Sequence, residues 1–391
     1  MSEPSLGLIM ILRDEEANLG LSLAPVASCF DEVVVVDTGS RDQTPSLCAQ
    51  MGAKVFHMPW GDDFAAARNQ CLARASADWL FWLDGDNAIT PSDVIEIRRT
   101  IPRKGLAVIW AQEQVVPSGQ RLWQKRCFPR RPEARFEGRV HEQLAHPPDW
   151  ASLAAPVVVR HWGYHDPARA AAKGRYYLRL LEQTLKESPE DFYALWQAAR
   201  CYYNLRQFPQ AASLLERLAE NPEGRRQNPQ LWASAHHLWA QVMERLGCLP
   251  QAETILDRLL QEMPEHGHSH YQRGRLAYAR QDWPAAVRHL NLALKCGLGL
   301  PLVDIDPHKT LFLADYFLGR SLERLGCPAE AAVALARAVR RDPAVVGARN
   351  ELARLLANLG QGDQARVHLE HILKEHPQDR QARGLLQAMA G

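Results

Sequence analysis

Asp84, Gly85 and Asp86 put two carboxylates one residue apart, a spacing at which both can face one hard divalent cation that also bridges two phosphates. They follow the apolar run Trp79–Leu83, which reads as a buried strand. Both acids therefore stand at a strand's carboxyl end, the edge where open α/β sheets bind ligands. Gly85 is expected to let the backbone pass close to a ligand. An acidic turn after a strand is also common where nothing binds, so the tripeptide needs support from elsewhere in the chain.

Support comes from upstream. Val33–Val36 is a second β-branched run, ending in Asp37 and the polar turn Thr38-Gly39-Ser40-Arg41-Asp42-Gln43-Thr44. Asp37 is placed to accept the imide N–H of a uracil; the alternative is a turn-forming Asx residue. Asp42 and Thr44 read as structural, capping the next helix. In Asp63-Phe64-Ala65-Ala66-Ala67-Arg68-Asn69 one arginine sits among small residues. The planar guanidinium of Arg68 suits a diphosphate clamp, against the alternative of a solvated helix arginine.

These residues need a scaffold that lines up strand ends. From Leu6 to about Trp162 short apolar runs alternate with helical patterns (strands Leu6–Leu12, Val33–Val36, Lys54–Met58, Trp79–Leu83 and Leu106–Ile109; helices Pro45–Met51 and Phe64–Ala75). That alternation predicts an α/β sheet of strands and crossover helices over residues 1–167. Beyond about Ala168 nearly every window is helical. A small residue recurs as Ala211, Ala252, Ala286, Ala331 and Ala365, at steps of 41, 34, 45 and 34. Two steps equal the tetratricopeptide period, and the excess in the others falls in the inserts Asn221–Asn228 and Gly297–Pro307. Leu-Gly turns precede three of the five, and Pro264, Pro343 and Pro377 each follow 12 residues after one. Residues 168–391 are therefore expected to form about five stacked helical hairpins, an all-α superhelix with a concave surface. Trp196, Tyr202, Tyr203, Trp232, Trp239, Tyr271, Trp283 and Tyr316 read as core of that array rather than a ligand stripe.

Composition removes several function classes. Lys and Arg total 46 against 45 for Asp and Glu, a net charge of +1, which gives no electrostatic case for nucleic acid or an anionic membrane as partner. No stretch has the apolar length of a membrane span. The eight cysteines include no CxxC pair and read as free thiols of a cytoplasmic protein.

Taken together, Ile11-Leu12-Arg13-Asp14-Glu15-Glu16-Ala17-Asn18-Leu19, the block Val35 to Thr44, Asp63 to Asn69 and Leu83-Asp84-Gly85-Asp86 resemble glycosyltransferase family 2, in the same order, across roughly residues 5–165. The resemblance implies the GT-A fold, a UDP-sugar donor, a divalent metal (Mn or Mg) and inversion at the anomeric carbon. It brings Arg13, Glu15, Asp37, Arg68 and Asp84 into the nucleotide-binding set and Asp86 and Asp84 into the metal set. A later histidine often completes the metal set in that fold. His161, which ends the run Val157-Val158-Val159-Arg160, is preferred over His165, with a buried structural histidine as the alternative.

The segments Arg126–Arg130 and Phe136–Gln143 with the appended repeats resemble a bacterial subgroup that includes the sublancin-type peptide S-glycosyltransferases. This points to a peptide or protein as acceptor, held by the repeats, which are otherwise expected to make a homodimer. Glu142 is the preferred base, since a carboxylate partly screened from water is suited to the task; His141 competes. Two positions depart from common family patterns: Asp14 stands where many members have Asn, and Asn87 where many have Glu. Sugar choice is expected to fall to residues 106–125. The competing functions are transfer to an envelope glycan or lipid-linked saccharide, and a repeat scaffold with an inactive transferase domain.

Overall fold

The computed structural model describes residues 3–116, 121–162, 167–298 and 307–390. The candidate His165, the middle of the 106–125 stretch and most of the Gly297–Pro307 insert lie outside the described residues. The chain forms two compact units, Met1–Gln197 and Ala198–Gly391.

The first unit runs β1 (Leu6–Leu12), α1 (Leu19–Ser22), β2 (Glu32–Asp37), α2 (Thr44–Gln50), β3 (Lys54–His57), α3 (Phe64–Arg74), β4 (Trp79–Asp84), β5 (Asn87–Ala88) and α4 (Pro91–Thr100). It continues with β6 (Ala107–Val115), β7 (Arg121–Pro129), β8 (Arg135–Glu137), β9 (Gln143–Ala145), β10 (Ala151–His161) and α5 (Pro167–Glu187), and ends within α6 (Phe192–Asn204). Eight strands make one sheet in the order β3-β2-β1-β4-β7-β6-β10-β5. Strands β1 to β4 are parallel, β7 runs antiparallel to β4 and β6, and β10 is parallel to β6. Because strand side chains alternate, Leu8, Met10 and Leu12 enter one core and Ile9 with Val34 and Val36 the other. Apolar burial on both faces is what the unbroken β-branched runs encode.

Register aligns the strand ends. Leu12 pairs with Asp37, Ile11 with Asp84, and Asp37 with His57. Helix α3 starts where Asp63 accepts the Ala66 N–H (2.8 Å). Helix α2 differs from expectation. Its cap residue is Gln43, and Thr44, expected as the cap, instead accepts the Glu15 N–H with its hydroxyl (2.8 Å). Asp42 is structural as expected, accepting from Thr44 and Glu16 N–H groups.

The second unit holds α7 (Phe208–Glu220), the short α8 (Pro222–Gln227), then α9 (Pro229–Arg245) with α10 (Leu249–Glu262), α11 (Gly267–Ala279) with α12 (Trp283–Cys296), α13 (Pro307–Arg324) with α14 (Pro328–Arg341), α15 (Val346–Asn358) with α16 (Gly362–Glu375), and α17 (Arg380–Ala390). Each recurring alanine is the fourth residue of its helix, α7, α10, α12, α14 or α16, and all five are fully buried. Gly247, Gly326 and Gly360 take the left-handed backbone that ends a helix (φ +79°, +75° and +74°). Arg206 and Gln281 take the same conformation (φ +59° and +62°) in the two turns where no glycine announces it. Among the eight repeat aromatics Trp196 and Trp232 are buried and none is exposed.

This unit buries an unusual number of imidazoles. His236, His237, His268 and His270 are at most 5% exposed. His237, His266 and His268 ring centroids lie 5.9–6.3 Å apart. Burial, reinforced by neighbouring histidines and arginines, pushes His236, His266, His268 and His289 down to about 4 from 6.5. The folded state thus prefers these rings neutral. Their contribution is intact above pH 6.5, falls as pH drops through the window from 6.5 to 4, and is gone below it. For a fully buried ring the loss is about 3 kcal/mol. The melting temperature of the repeats, followed by circular dichroism, should fall between pH 7 and pH 4.5, and His268→Asn should reduce that fall.

Candidate active site

Helix α3 delivers Arg68 beneath the carboxyl edge of the sheet, 4% exposed. Its Nη2 donates to Asp84 Oδ1 (2.7 Å) and its Nε to Glu142 Oε1. The guanidinium carbon lies 4.1 Å from the Trp82 ring centroid and 5.5 Å from that of Phe136. Burial opposes the Arg68 charge, but Asp84 and Glu142 outweigh it and raise its pKa; burial likewise opposes the Asp84 carboxylate, and Arg68 with Arg126 brings it below the ordinary value. Arg68 is therefore not the solvated arginine that the sequence left as the alternative, and its fork faces two carboxylates of its own chain.

Glu142 arrives through a small hairpin, β8 paired with β9. Asn69, next to Arg68, clamps that hairpin by exchanging both hydrogen bonds with the Phe136 backbone (2.9 Å each). The Arg139 carbonyl accepts the N–H of Phe64, first residue of α3 (2.8 Å). In the connecting loop Gly138 (φ +97°) and His141 (φ +53°) are left-handed. The two base candidates therefore part company: Glu142 reaches Arg68, whereas the His141 ring packs edge-on against Tyr177 at 5.3 Å.

Asp86 and His161 meet across the edge, Asp86 Oδ1 standing 3.3 Å from His161 Nδ1. Strand pairing forces this, because His161 at the end of β10 is opposite Asn87. Asn87, fully buried, places Nδ2 2.9 Å from His161 Nδ1 and 3.4 Å from Asp86 Oδ1. Burial opposes the His161 imidazolium, and the facing Asp86 outweighs it and raises its pKa. One or two carboxylates with the remaining positions left to phosphate oxygens and water is a usual way to hold Mg²⁺, so Asp86 suits a hard divalent cation, and His161 would join it only as the neutral ring. Among the described residues no group of three such side chains forms a cage.

Two observations lay outside sequence reasoning. Arg126, 1% exposed, donates to Glu113 and to Asn87 Oδ1 (3.0 Å), with its guanidinium carbon 3.7 Å from the Trp82 ring centroid. Burial pushes its pKa down, against the pull of Glu113 and Asp84. Gly85 makes room for a neighbour: a Cβ there would lie 2.5–2.9 Å from the Glu15 side chain, which would have to shift. Glu15 in turn accepts from Asn18 Nδ2 (2.6 Å). Asp37, 2% exposed, makes the Asx turn that the sequence left as its alternative, accepting from Gly39 and Ser40 N–H groups (3.2 Å each), with His57 Nδ1 at 3.2 Å. Arg13 stands half-exposed just past β1, 3.8 Å from Asp14.

Residues 8–153 match the model of glycosyl transferase family 2, while residues 164–233, 238–300 and 325–389 match tetratricopeptide repeats. The α/β unit is a glycosyltransferase family 2 domain. A TPR repeat-containing protein of Synechococcus elongatus is 35% identical over 198 residues, 48% of this chain and 49% of that one. The SPbeta prophage-derived glycosyltransferase SunS of Bacillus subtilis is 23% identical over 200 residues, 48% and 47% of the two chains. An uncharacterized glycosyltransferase of Rickettsia felis is 30% identical over 81 residues, 21% and 28%. The chain spans about half the length of the first two relatives. Among the described residues no helix is long and apolar enough to cross a membrane, and all eight cysteines are free thiols.

The family 2 domain depends on Arg68 remaining charged and paired. Arg68→Ala leaves two carboxylates uncompensated and should lower unfolding free energy by about 3–5 kcal/mol, read from denaturant midpoints. Adding Asp84→Asn and Glu142→Gln to Arg68→Met should restore part of that loss.

Proposed function

We propose that the protein is a metal-dependent, inverting glycosyltransferase that moves a sugar from a UDP-sugar to a peptide or protein acceptor in the cytoplasm. The observation that supports this reading is the placement of Asp37 and Asp84 at the ends of the two strands flanking β1, with Asp86 against His161 and Glu142 tied to Asp84 through Arg68. In this reading Asp37 uses a remaining lone pair for the uracil imide, with Arg13 and Glu15 on the neighbouring loop. Asp84 takes a ribose hydroxyl or a metal-bound water. Asp86 and His161 hold Mn²⁺ or Mg²⁺, which when bound neutralises charge on the departing diphosphate.

Glu142 removes the proton of the acceptor nucleophile, its carboxylate oriented by Arg68 Nε. A single base suits inversion, in which the acceptor attacks the face opposite the leaving group. His141 has its ring against Tyr177 and serves the loop's shape. The repeats present the acceptor, with self-association as the other use of the array.

Incubation with several nucleotide sugars and Mn²⁺ or Mg²⁺ should release free nucleotide from a UDP-sugar and add a hexose mass to a peptide acceptor; chelator should stop it. Glu142→Gln should lower kcat by about 100-fold or more with donor KM little changed, whereas His161→Ala should raise the metal concentration needed for half activity. Release without a donor-induced thermal shift in any variant is not expected. No release and no shift in the wild type would mean a scaffold with an inactive domain, and sugar found on a glycan or lipid-linked saccharide would overturn the peptide acceptor.

A further inference from the structure

Helix α5 reads by periodicity as the start of the repeats, yet within the first unit two consecutive tyrosines on it reach the loops that lead to Arg68 and Glu142. A residue with a Cβ rarely takes a left-handed backbone, because the Cβ crowds the following carbonyl, and such a conformation persists only where its surroundings hold it. Among the described residues of this unit three do so: Asp14, Asp62 (φ +57°) and His141 (φ +53°). Two of the three are held by α5. The Tyr176 hydroxyl donates to Asp62 Oδ1 (2.7 Å) and accepts from Trp60 Nε1 (2.6 Å), and Arg179 donates to Asp62 Oδ2 (2.9 Å). The Tyr177 ring packs edge-on against His141 (5.3 Å) and against Phe64 (5.9 Å).

Each loop feeds one half of the buried ion pair. Asp62 precedes Asp63, the cap of the helix that bears Arg68, and His141 precedes Glu142. The second loop is anchored at every other residue. Glu187 of α5 accepts two hydrogen bonds from Arg139 (2.7 and 2.9 Å), Tyr177 meets His141, and Gln143 donates to the hydroxyl of Tyr193 on α6 (3.1 Å). Glu142, between the last two, goes to Arg68. Phe64 joins the two loops, since its N–H donates to the Arg139 carbonyl while its ring lies against Tyr177. Residues 60–64 and 139–143 are therefore fixed against one helix as well as against each other. A reacting group carried on a loop needs such a reference, because a misplacement of about 1 Å can cost roughly 100-fold in rate.

We infer that Tyr177 is a positioning residue for the transfer step: by seating His141 and Phe64 on α5 it sets where Glu142 meets the acceptor's proton, and Tyr176 does the same for the entry to the Arg68 helix. The inference rests on Glu142 being the base, as proposed above. Nucleotide release from a UDP-sugar by the full chain, with Mn²⁺ or Mg²⁺ present, tests it. Tyr177→Ala should lower kcat by roughly 10- to 100-fold with donor KM little changed, and Tyr177→Phe, which keeps the ring, should restore it. In a Glu142→Gln background Tyr177→Ala should cost nothing further, because a residue that acts through Glu142 has nothing left to place. Tyr177→Leu carries the same comparison if circular dichroism shows Tyr177→Ala to be unfolded. Wild-type kcat in these variants, or the same fall in both backgrounds, would mean that Tyr177 only shapes the fold, and would overturn the assignment while leaving the base reading intact. Glu142→Gln turning over as fast as the wild type would instead remove the base reading, and this inference with it.

Discussion

A guanidinium enclosed by two carboxylates and two aromatic faces is the constraint around which the α/β unit is organised. Taking three charges away from water is expensive, and the attraction in a poorly solvated setting offsets that only when the geometry is tight. Arg68 meets the condition by giving separate donors to Asp84 and Glu142 while its plane lies near Trp82 and Phe136. Three pieces of chain must therefore be correct at once: the helix behind the sheet, the end of β4, and the loop between β8 and β9. Asn69 serves the third requirement by locking Phe136 with a pair of backbone hydrogen bonds.

A second buried cation repeats the device one strand further on. Arg126 on β7 ties Glu113 of β6 to Asn87 of β5, and Asn87 in turn stands at His161 and Asp86. Trp82 lies close to both guanidinium groups. The result is an edge on which acidic side chains are held at fixed separations by cations beneath them. Such pre-set polarity is what a reaction with a charged leaving group requires, because side chains that are already oriented need little rearrangement as charge develops.

The repeat unit is built on a different economy. Its backbone is specified by small residues and left-handed turns that recur with the period, so that consecutive helices approach closely. Within that frame it tolerates buried imidazoles with unsatisfied ring nitrogens, including both of His268 and one each of His236 and His237. Buried polar atoms of this kind cost stability, and the surrounding arginines, among them Arg275 and Arg258, leave little room for further positive charge.

Much of the architecture was legible before any coordinates. Strands β1, β2 and β4 were visible because a strand buried on both faces reads as a near-continuous apolar run, and the repeats because a buried alanine at one place in each hairpin leaves a period in the chain. Asp84 and Asp86 were visible because a strand end is a place as well as a composition. What the tertiary structure alone decided was partnership. Nothing local to Arg68 says that Glu142, 74 residues away, will take its Nε, that Glu15 will fill the space over Gly85, or that Arg126 will be buried. Helix α5 makes the same point, since periodicity reports that a helix has an apolar face and is silent about which neighbour covers it. Period and burial are properties of a segment, whereas ion pairs and packing across the fold depend on which distant segments the sheet order brings together.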